Sequence, residues 1–202
     1  GGSTDAAATL IGLNKLWNLN LNYSDIYKIS CELGSDVPFF LKGGSKFCFG
    51  RGEILENAKF KGELGLMLLK DPNSFISTAE TYKKYSSLHN QFNMNDLNTK
   101  RNELRNNSFL NSDDFIKNVA IKNDLQKIVE EENQSVKDAL SLLNTIDDTL
   151  AVSMSGSGST CFAIFNNIET AKNSYKKNIY KFENTNFNVW ITNFINEGIT
   201  FL

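Results

Sequence analysis

Gly1-Gly2-Ser3-Thr4-Asp5-Ala6-Ala7-Ala8 opens the chain and runs directly into an apolar-periodic segment, Leu10, Ile11, Leu13, Leu16 and Trp17. The spacing predicts a helix from about Thr4 to Trp17. Ser3, Thr4 and Asp5 are all good N-cap residues. The two glycines carry no Cβ, so their backbone can come close to a ligand. A helix amino end leaves unpaired N–H groups aimed outward at the positive pole of the helix dipole, a natural place for phosphate. On these residues alone, an ordinary capped helix is an equal reading.

Outward from this stretch, Ser24 reads as an N-cap for a second helix carrying Ile26, Ile29 and Leu33, with Gly34 as its stop. Ser35-Asp36-Val37-Pro38 follows, and the proline disfavours helical backbone at Val37, which predicts an extended or turn conformation. Phe39–Leu41 and Ser45–Phe49 flank Gly43-Gly44, a pattern that predicts a hairpin. Asp36 therefore sits in a rigidly defined place, suited to a carboxylate that must come within hydrogen-bond reach of a proton it takes. Its bland reading is a turn aspartate.

Farther on, Leu66–Leu69 predicts a buried strand, and Ser77-Thr78 can cap a helix bearing Ala79, Tyr82 and Tyr85. From Lys83 to Asp113 asparagine dominates and apolar anchors are few, which predicts a long surface insertion around residues 86–112. Helical patterns resume over Phe115–Glu132 and Val136–Leu143. The tail then reads as strand Leu150–Met154, loop Ser155-Gly156-Ser157-Gly158-Ser159, strand Cys161–Phe165, helix Ile168–Tyr180 and edge strand Phe187–Phe194. Strands interleaved with helices in this order predict an α+β architecture. The Ser155–Ser159 loop joins two apolar strands, and successive N–H groups in such a loop recur at phosphate sites. It is not a Walker A loop, because no lysine follows the glycines. A flexible surface turn is the competing reading.

Bulk properties narrow the function. With 202 residues, 41% hydrophobic and 22% charged, the chain can bury a real core. A formal net charge of −2 gives no basic footprint for nucleic acid. No run of about twenty apolar residues predicts a membrane span. Cys31, Cys48 and Cys161 form no CxxC pair, and the lone His89 cannot supply a ligand cluster, so neither a disulfide framework nor a transition-metal site is expected.

Three blocks taken in order carry a resemblance that none carries alone. Gly1-Gly2-Ser3-Thr4-Asp5-Ala6-Ala7, Leu33-Gly34-Ser35-Asp36-Val37-Pro38-Phe39-Phe40 and Met154-Ser155-Gly156-Ser157-Gly158-Ser159-Thr160-Cys161-Phe162-Ala163-Ile164-Phe165 resemble the GHMP small-molecule kinases. Within that family, Gly34–Pro38 and Val136-Lys137-Asp138-Ala139-Leu140 look like the branch acting on a cytidyl-diphospho-methylerythritol in non-mevalonate isoprenoid synthesis. The likeness extends over nearly the whole chain except the asparagine-rich insertion.

The resemblance implies a GHMP kinase fold: the remainder of a ribosomal-protein-S5-like N-terminal domain over residues 1–60 and a ferredoxin-like C-terminal domain over 61–202. It implies ATP bound by Gly1, Gly2, Ser3 and Thr4, with Asp5 where asparagine is more usual. It makes Asp36 the catalytic base and puts Ser155, Gly156, Ser157 and Gly158 in the substrate pocket, with Phe39, Phe40 and Lys42 close behind Asp36. Mg²⁺ is implied, with Ser3 or Thr4 as an oxygen ligand. The partners implied are ATP and a small-molecule alcohol, the 2-hydroxyl of the cytidyl-diphospho-methylerythritol; neither nucleic acid nor membrane is implied. A mevalonate- or homoserine-type kinase is the nearest alternative, and a non-catalytic ligand-binding module is another.

The chain opens without an initiator Met, inside what reads as a phosphate loop. The expectation is a C-terminal fragment, inactive alone, whose missing part carries a partner lysine and the nucleobase-recognition residues. The asparagine-rich composition suggests an A+T-rich genome and a plastid location, with a bacterial cytoplasm as the alternative.

Overall fold

The computed structural model describes residues 1–58, 63–88, 99, 102 and 121–201. Residues 1–58 and 195–201 form one compact unit; residues 63–88, 99, 102 and 121–194 form a second. The asparagine-rich insertion lies largely outside the described residues, as do His89 and the start of the helical pattern expected from Phe115.

In the first unit, α1 spans Gly2–Leu16, longer at its start than the sequence predicts. Gly1, not Ser3, Thr4 or Asp5, is the N-cap, and no side chain caps it. The carbonyl of Gly1 accepts the N–H groups of Thr4 and Asp5 at 2.9 and 3.1 Å. The three alanines favour helix, and Asp5 in the first turn and Lys15 in the last complement the dipole. Helix α2 (Tyr23–Leu33) begins at Asn22, whose side chain accepts the Asp25 N–H, so the cap precedes the expected Ser24 by two residues. It stops at Gly34.

Residues expected as an extended turn and the first arm of a hairpin instead form a third helix, α3 (Val37–Lys42), with Asp36 as N-cap. Proline is tolerated in a first helical turn because its missing N–H would have had no partner there. Burial of Val37, Pro38 and Leu41 outweighs the backbone restriction at Val37. The hairpin of this unit is the next one along: β1 (Lys46–Phe49) pairs antiparallel with β2 (Ile54–Asn57), from Lys46 opposite Asn57 to Phe49 opposite Ile54. The hydroxyl of Tyr27 on α2 donates to the carbonyl of Glu53 and ties the hairpin turn to the helices. Ala7, Val37 and Leu41 form the buried centre of the unit, with Ile11, Ile26 and Phe40 packed around it. The tail joins the same unit: Ile199 packs on that cluster, and the Lys15 ammonium lies 3.8 Å from the Phe201 ring centre.

The second unit is built on a four-stranded antiparallel sheet. Its strands are β3 (Gly65–Lys70), β4 (Ala151–Met154), β5 (Cys161–Phe165) and β6 (Asn188–Asn193). Across the sheet they lie β4-β5-β3-β6, that is second, third, first, fourth, the arrangement of a ferredoxin-like split βαβ unit. The register runs from Gly65 opposite Phe165 to Leu69 opposite Cys161, and Ala151–Met154 pairs with Ile164–Cys161. In β3 every second residue is buried, so Met67 and Leu69 face the helices.

Helices α4 (Thr78–Leu88), α5 (Gln126–Glu132), α6 (Gln134–Asn144) and α7 (Ile168–Lys177) belong to the same unit. Helix α6 buries Val136, Ala139, Leu140 and Leu143, one face at helical spacing, against Met67, Leu69, Met154 and Phe165. Val136, Leu140 and Leu143 each contribute about 1.5–3 kcal/mol by leaving water, and Ala139 less. Among the described residues α5 starts at Gln126; 121–125 are not helical, so the helix expected up to Glu132 is shorter. Helix α7 likewise ends at Lys177, before a 3₁₀ turn over Ile179–Lys181.

Candidate functional site

In the first unit, the amino end of α1 and the start of α3 share one core. Ala7, one turn beyond Ser3, is buried in the same cluster as Val37, the residue after Asp36. Gly1 and Gly2 are exposed, and a Cβ on either would meet nothing within 4 Å. The N–H groups of Gly2 and Ser3 precede the first intrahelical bond and have no partner among the described residues, whereas those of Thr4 and Asp5 return to Gly1. The Ser3 and Thr4 side chains are half-buried beside this open amide end. The arrangement fits an anion approaching along the helix axis.

Asp36 precedes α3 with an exposed side chain that accepts no hydrogen bond among the described residues. The hairpin turn stands beside it: a Cβ on Gly52 would lie 3.5 Å from Asp36 Oδ1. Burial raises the thiol pKa of the neighbouring Cys48, and the Asp36 charge adds to that rise, while Lys46 opposes it. Phe39 and Phe40 stack edge to face with centroids 5.1 Å apart, and Lys42 holds its ammonium 4.0 Å from the Tyr23 ring centre. Phe40 thus belongs to the core cluster, and Lys42 is engaged with α2.

In the second unit, Ser155–Ser159 is the connection between β4 and β5. Gly156 and Gly158 take positive φ, 56° and 88°. Backbone bonds close the loop: the Ser155 N–H donates to Thr160 and the Gly158 N–H to Ser155, both at 2.9 Å. Side chains fix its exit, with the buried Ser159 hydroxyl donating to the Ser74 carbonyl at 2.9 Å and Ser157 hydrogen-bonded to Thr78 at 2.7 Å. The N–H groups of Gly156 and Ser157 have no partner among the described residues. A cleft of about 600 Å³ in this unit is bounded by Ser155 and Gly156 on one side and by Tyr82 and Tyr85 of α4 on another.

Two residues that the sequence reading passed over hold this loop. The Asn123 amide donates to both the Met154 and the Gly156 carbonyls at 2.7 Å, while its oxygen accepts the Leu125 N–H at 2.9 Å. One turn later, the Gln126 side-chain oxygen accepts the Met154 N–H at 2.9 Å and the Ser153 hydroxyl at 3.0 Å. Reading Phe115–Glu132 as one helix hid both; Asn123-Asp124 immediately before an apolar-periodic run was the available signal of a capped turn.

Among the described residues no group of three or more His, Cys, Asp or Glu side chains could hold a metal. A magnesium ion arriving with a nucleotide would find hydroxyl oxygens of Ser3 or Thr4, and its remaining ligands would come from phosphate and water. No described helix is long and apolar enough to cross a membrane.

The first unit holds an exposed helix amide end and a carboxylate without a hydrogen bond among the described residues, the second a serine-glycine loop on a ferredoxin-like sheet, and sequence comparison gives the family. Residues 1–44 match GHMP kinases N terminal domain and residues 96–182 match GHMP kinases C terminal; the chain belongs to the GHMP kinases. Particular relatives are also similar. A 4-diphosphocytidyl-2-C-methyl-D-erythritol kinase of Prochlorococcus marinus (strain MIT 9515) is 53% identical over 210 residues, covering 100% of this chain and 66% of that protein. The protein of the same name from strain NATL2A is 43% identical over 203 residues, covering 98% of this chain and 64% of that one. The chain therefore spans about two thirds of these relatives.

Solved structures agree on the fold. A 4-(cytidine 5′-diphospho)-2C-methyl-D-erythritol kinase superposes with a TM-score of 0.62 at 20% identity, over 96% of this chain and 64% of that one. A homoserine kinase from Cytophaga hutchinsonii gives 0.72 at 14% identity, over 98% and 66%. The GHMP kinase fold of α+β class follows.

Proposed function

We propose that the full-length protein transfers the γ-phosphoryl group of ATP to the 2-hydroxyl of 4-diphosphocytidyl-2-C-methyl-D-erythritol, with Asp36 as the base. The observation that carries the chemistry is the exposed carboxylate of Asp36, without a hydrogen bond among the described residues and in one unit with the open amide end of α1. The choice of substrate is supported by the name shared by the bacterial relatives at 43–53% identity. Their origin also favours a bacterial cytoplasm over a plastid as the place of action.

In this reading the amides of Gly2 and Ser3 bind a phosphate of ATP, with Gly1 and Gly2 leaving the approach open. Mg²⁺, when bound, neutralises charge on the transferring phosphate. Asp36 accepts a hydrogen bond from the substrate hydroxyl and orients its oxygen. As that oxygen forms its bond to the γ-phosphorus, the bond from phosphorus to the bridging oxygen of ADP breaks, and the hydroxyl proton passes to the carboxylate. Exposure of Asp36 lets the proton leave to water. The side-chain engagement of Lys42 with Tyr23 and of Phe40 with the core argues against either as a direct substrate contact. Ser155, Gly156, Ser157 and Gly158 form a wall of the substrate pocket; Gly156 and Ser157 offer amides with no partner among the described residues, while the amides of Ser155 and Gly158 close the loop. Residues 1–202 alone are expected not to turn over.

In the full-length protein, Asp36→Asn keeps the shape and removes the base. Turnover is expected to fall about 10²–10⁴-fold, with ATP affinity within about 2-fold as read by nucleotide titration. Near-normal turnover would reject Asp36 as base. The likeness in fold to a homoserine kinase favours including homoserine and mevalonate in the substrate panel. Phosphorylation of either in place of the cytidylyl compound would overturn the assigned substrate, and ATP binding without transfer to any would favour a ligand-binding module.

A further inference from the structure

We infer that Asn123, assisted by Gln126, is a positioning residue that aims the Ser157 N–H at an anionic oxygen of the bound substrate. This deepens the proposed function and rests on its assignment of the Ser155–Gly158 loop to the substrate pocket. In a trans peptide the C=O and N–H point to opposite sides of one plane. The Asn123 amide holds the Gly156 carbonyl at 2.7 Å, so the N–H of the same peptide unit, that of Ser157, faces away from Asn123. The bond from the Gly158 N–H to the Ser155 carbonyl closes a four-residue turn around that plane, but such a turn can keep its closing bond with its central peptide facing either way. A Cβ on Gly156, at positive φ, would meet no atom within 4 Å; the Asn123 bond selects the orientation. The second proton of Asn123 holds the Met154 carbonyl at the entrance to the loop.

Gln126 completes the grip from the other side by accepting the Met154 N–H and the Ser153 hydroxyl. Its own amide donates to Glu130 at 2.7 Å, which sets which end of the side chain faces β4. The two amide side chains lie three residues apart across the start of α5, so one helical turn presents both to the strand end. The clasp therefore fixes the peptide that carries the open Ser157 amide, while the Gly158 N–H holds the carbonyl of the peptide that carries the Gly156 amide, and an anion meeting the two needs little reorganisation of the loop.

Asn123→Asp is the discriminating change. An aspartate keeps an oxygen for the Leu125 N–H, so the turn before α5 survives, but it repels the two carbonyls that Asn123 holds. In the full-length protein, Asn123→Asp is expected to raise KM for the cytidylyl substrate about 10-fold or more, leave KM for ATP within about 2-fold, and lower kcat less than it raises KM. Asn123→Gln, which keeps both donors, should recover part of the loss.

A binding readout independent of turnover uses inorganic pyrophosphate as probe. In ¹⁵N-labelled wild-type protein the Gly156 and Ser157 amide resonances should move on titration, and in Asn123→Asp they should not. Equal movement in both proteins, no movement in the wild type, or a kcat loss with unchanged substrate KM would each overturn the inference. Pyrophosphate shifts that depend on Asn123, in a wild-type protein that fails to phosphorylate the cytidylyl compound, would uphold the clasp while removing the substrate assignment.

Discussion

Two glycines of the β4–β5 loop are separated by one serine, yet the structure assigns them very different costs on gaining a methyl group. At Gly156, φ is +56° and a Cβ would meet open space, so Gly156→Ala pays only for left-handed backbone, about 1 kcal/mol. At Gly158, φ is +88° and the added Cβ would sit 2.8 Å from both Ile76 Cδ1 and Met154 Sδ. Met154 is 2% exposed and packed into the sheet core, so its sulfur has little room to yield. Overpacking adds about 1–3 kcal/mol, for a total of about 2–4 kcal/mol with the backbone strain. Thermal unfolding of the full-length variants should show this as a melting point lowered by about 3 °C in Gly156→Ala and about 6–12 °C in Gly158→Ala, at about 3 °C per kcal/mol for a unit of this size. Equal losses, or a greater loss at Gly156, would refute the packing described around the loop. Activity adds a second axis, because Gly156→Ala should disturb substrate binding more than its small stability cost suggests.

The remaining predictions concern charge and burial. In Asp36→Asn, loss of the negative charge beside Cys48 lowers that thiol's raised pKa, so iodoacetamide should label Cys48 faster at pH 8, by less than about 3-fold given screening by water; slower labelling would contradict the placement of Asp36 by the hairpin. Burial, with a smaller push from Glu130, drives the Cys161 thiol from 9.0 up to about 12. A thiol whose folded pKa lies above its unfolded value contributes full stability below pH 9 and loses it as the pH climbs toward 12. Urea midpoints should therefore decline over that window more steeply in the wild type than in Cys161→Ala, and parallel declines would argue that Cys161 is not sealed in the core. Cys161 should also resist alkylation in the folded protein at pH 8, where only the thiolate reacts.

Much of the architecture was legible from periodicity. The continuous apolar runs Leu66–Leu69 and Cys161–Phe165 mark buried strands, the spacing of Val136, Ala139, Leu140 and Leu143 specifies one helix face to bury, and the chain obeys them. Gly34 ends α2 where the sequence places the stop, although its backbone there is extended rather than left-handed. Readings failed where a local preference met tertiary burial. Val37-Pro38 prefers extended backbone, but a first helical turn tolerates proline, and the apolar side of Val37–Leu41 has a core to enter. Ser3, Thr4 and Asp5 are each adequate caps, but a glycine one position before the helix leaves its amides open, where a side-chain oxygen would have closed them.

The sequence by itself determined the family, through three blocks that resemble it, because such a likeness depends on residue type and order. Tertiary structure alone decided how the blocks are held: that Ala7 and Val37 share one buried cluster, that the Asp36 carboxylate accepts no hydrogen bond among the described residues, and that Asn123 and Gln126 grip the serine-glycine loop. Asn123 and Gly156 are thirty-three residues apart. No local propensity records a hydrogen bond across such a distance, which forms only once the sheet has brought the strand end to the helix that serves it.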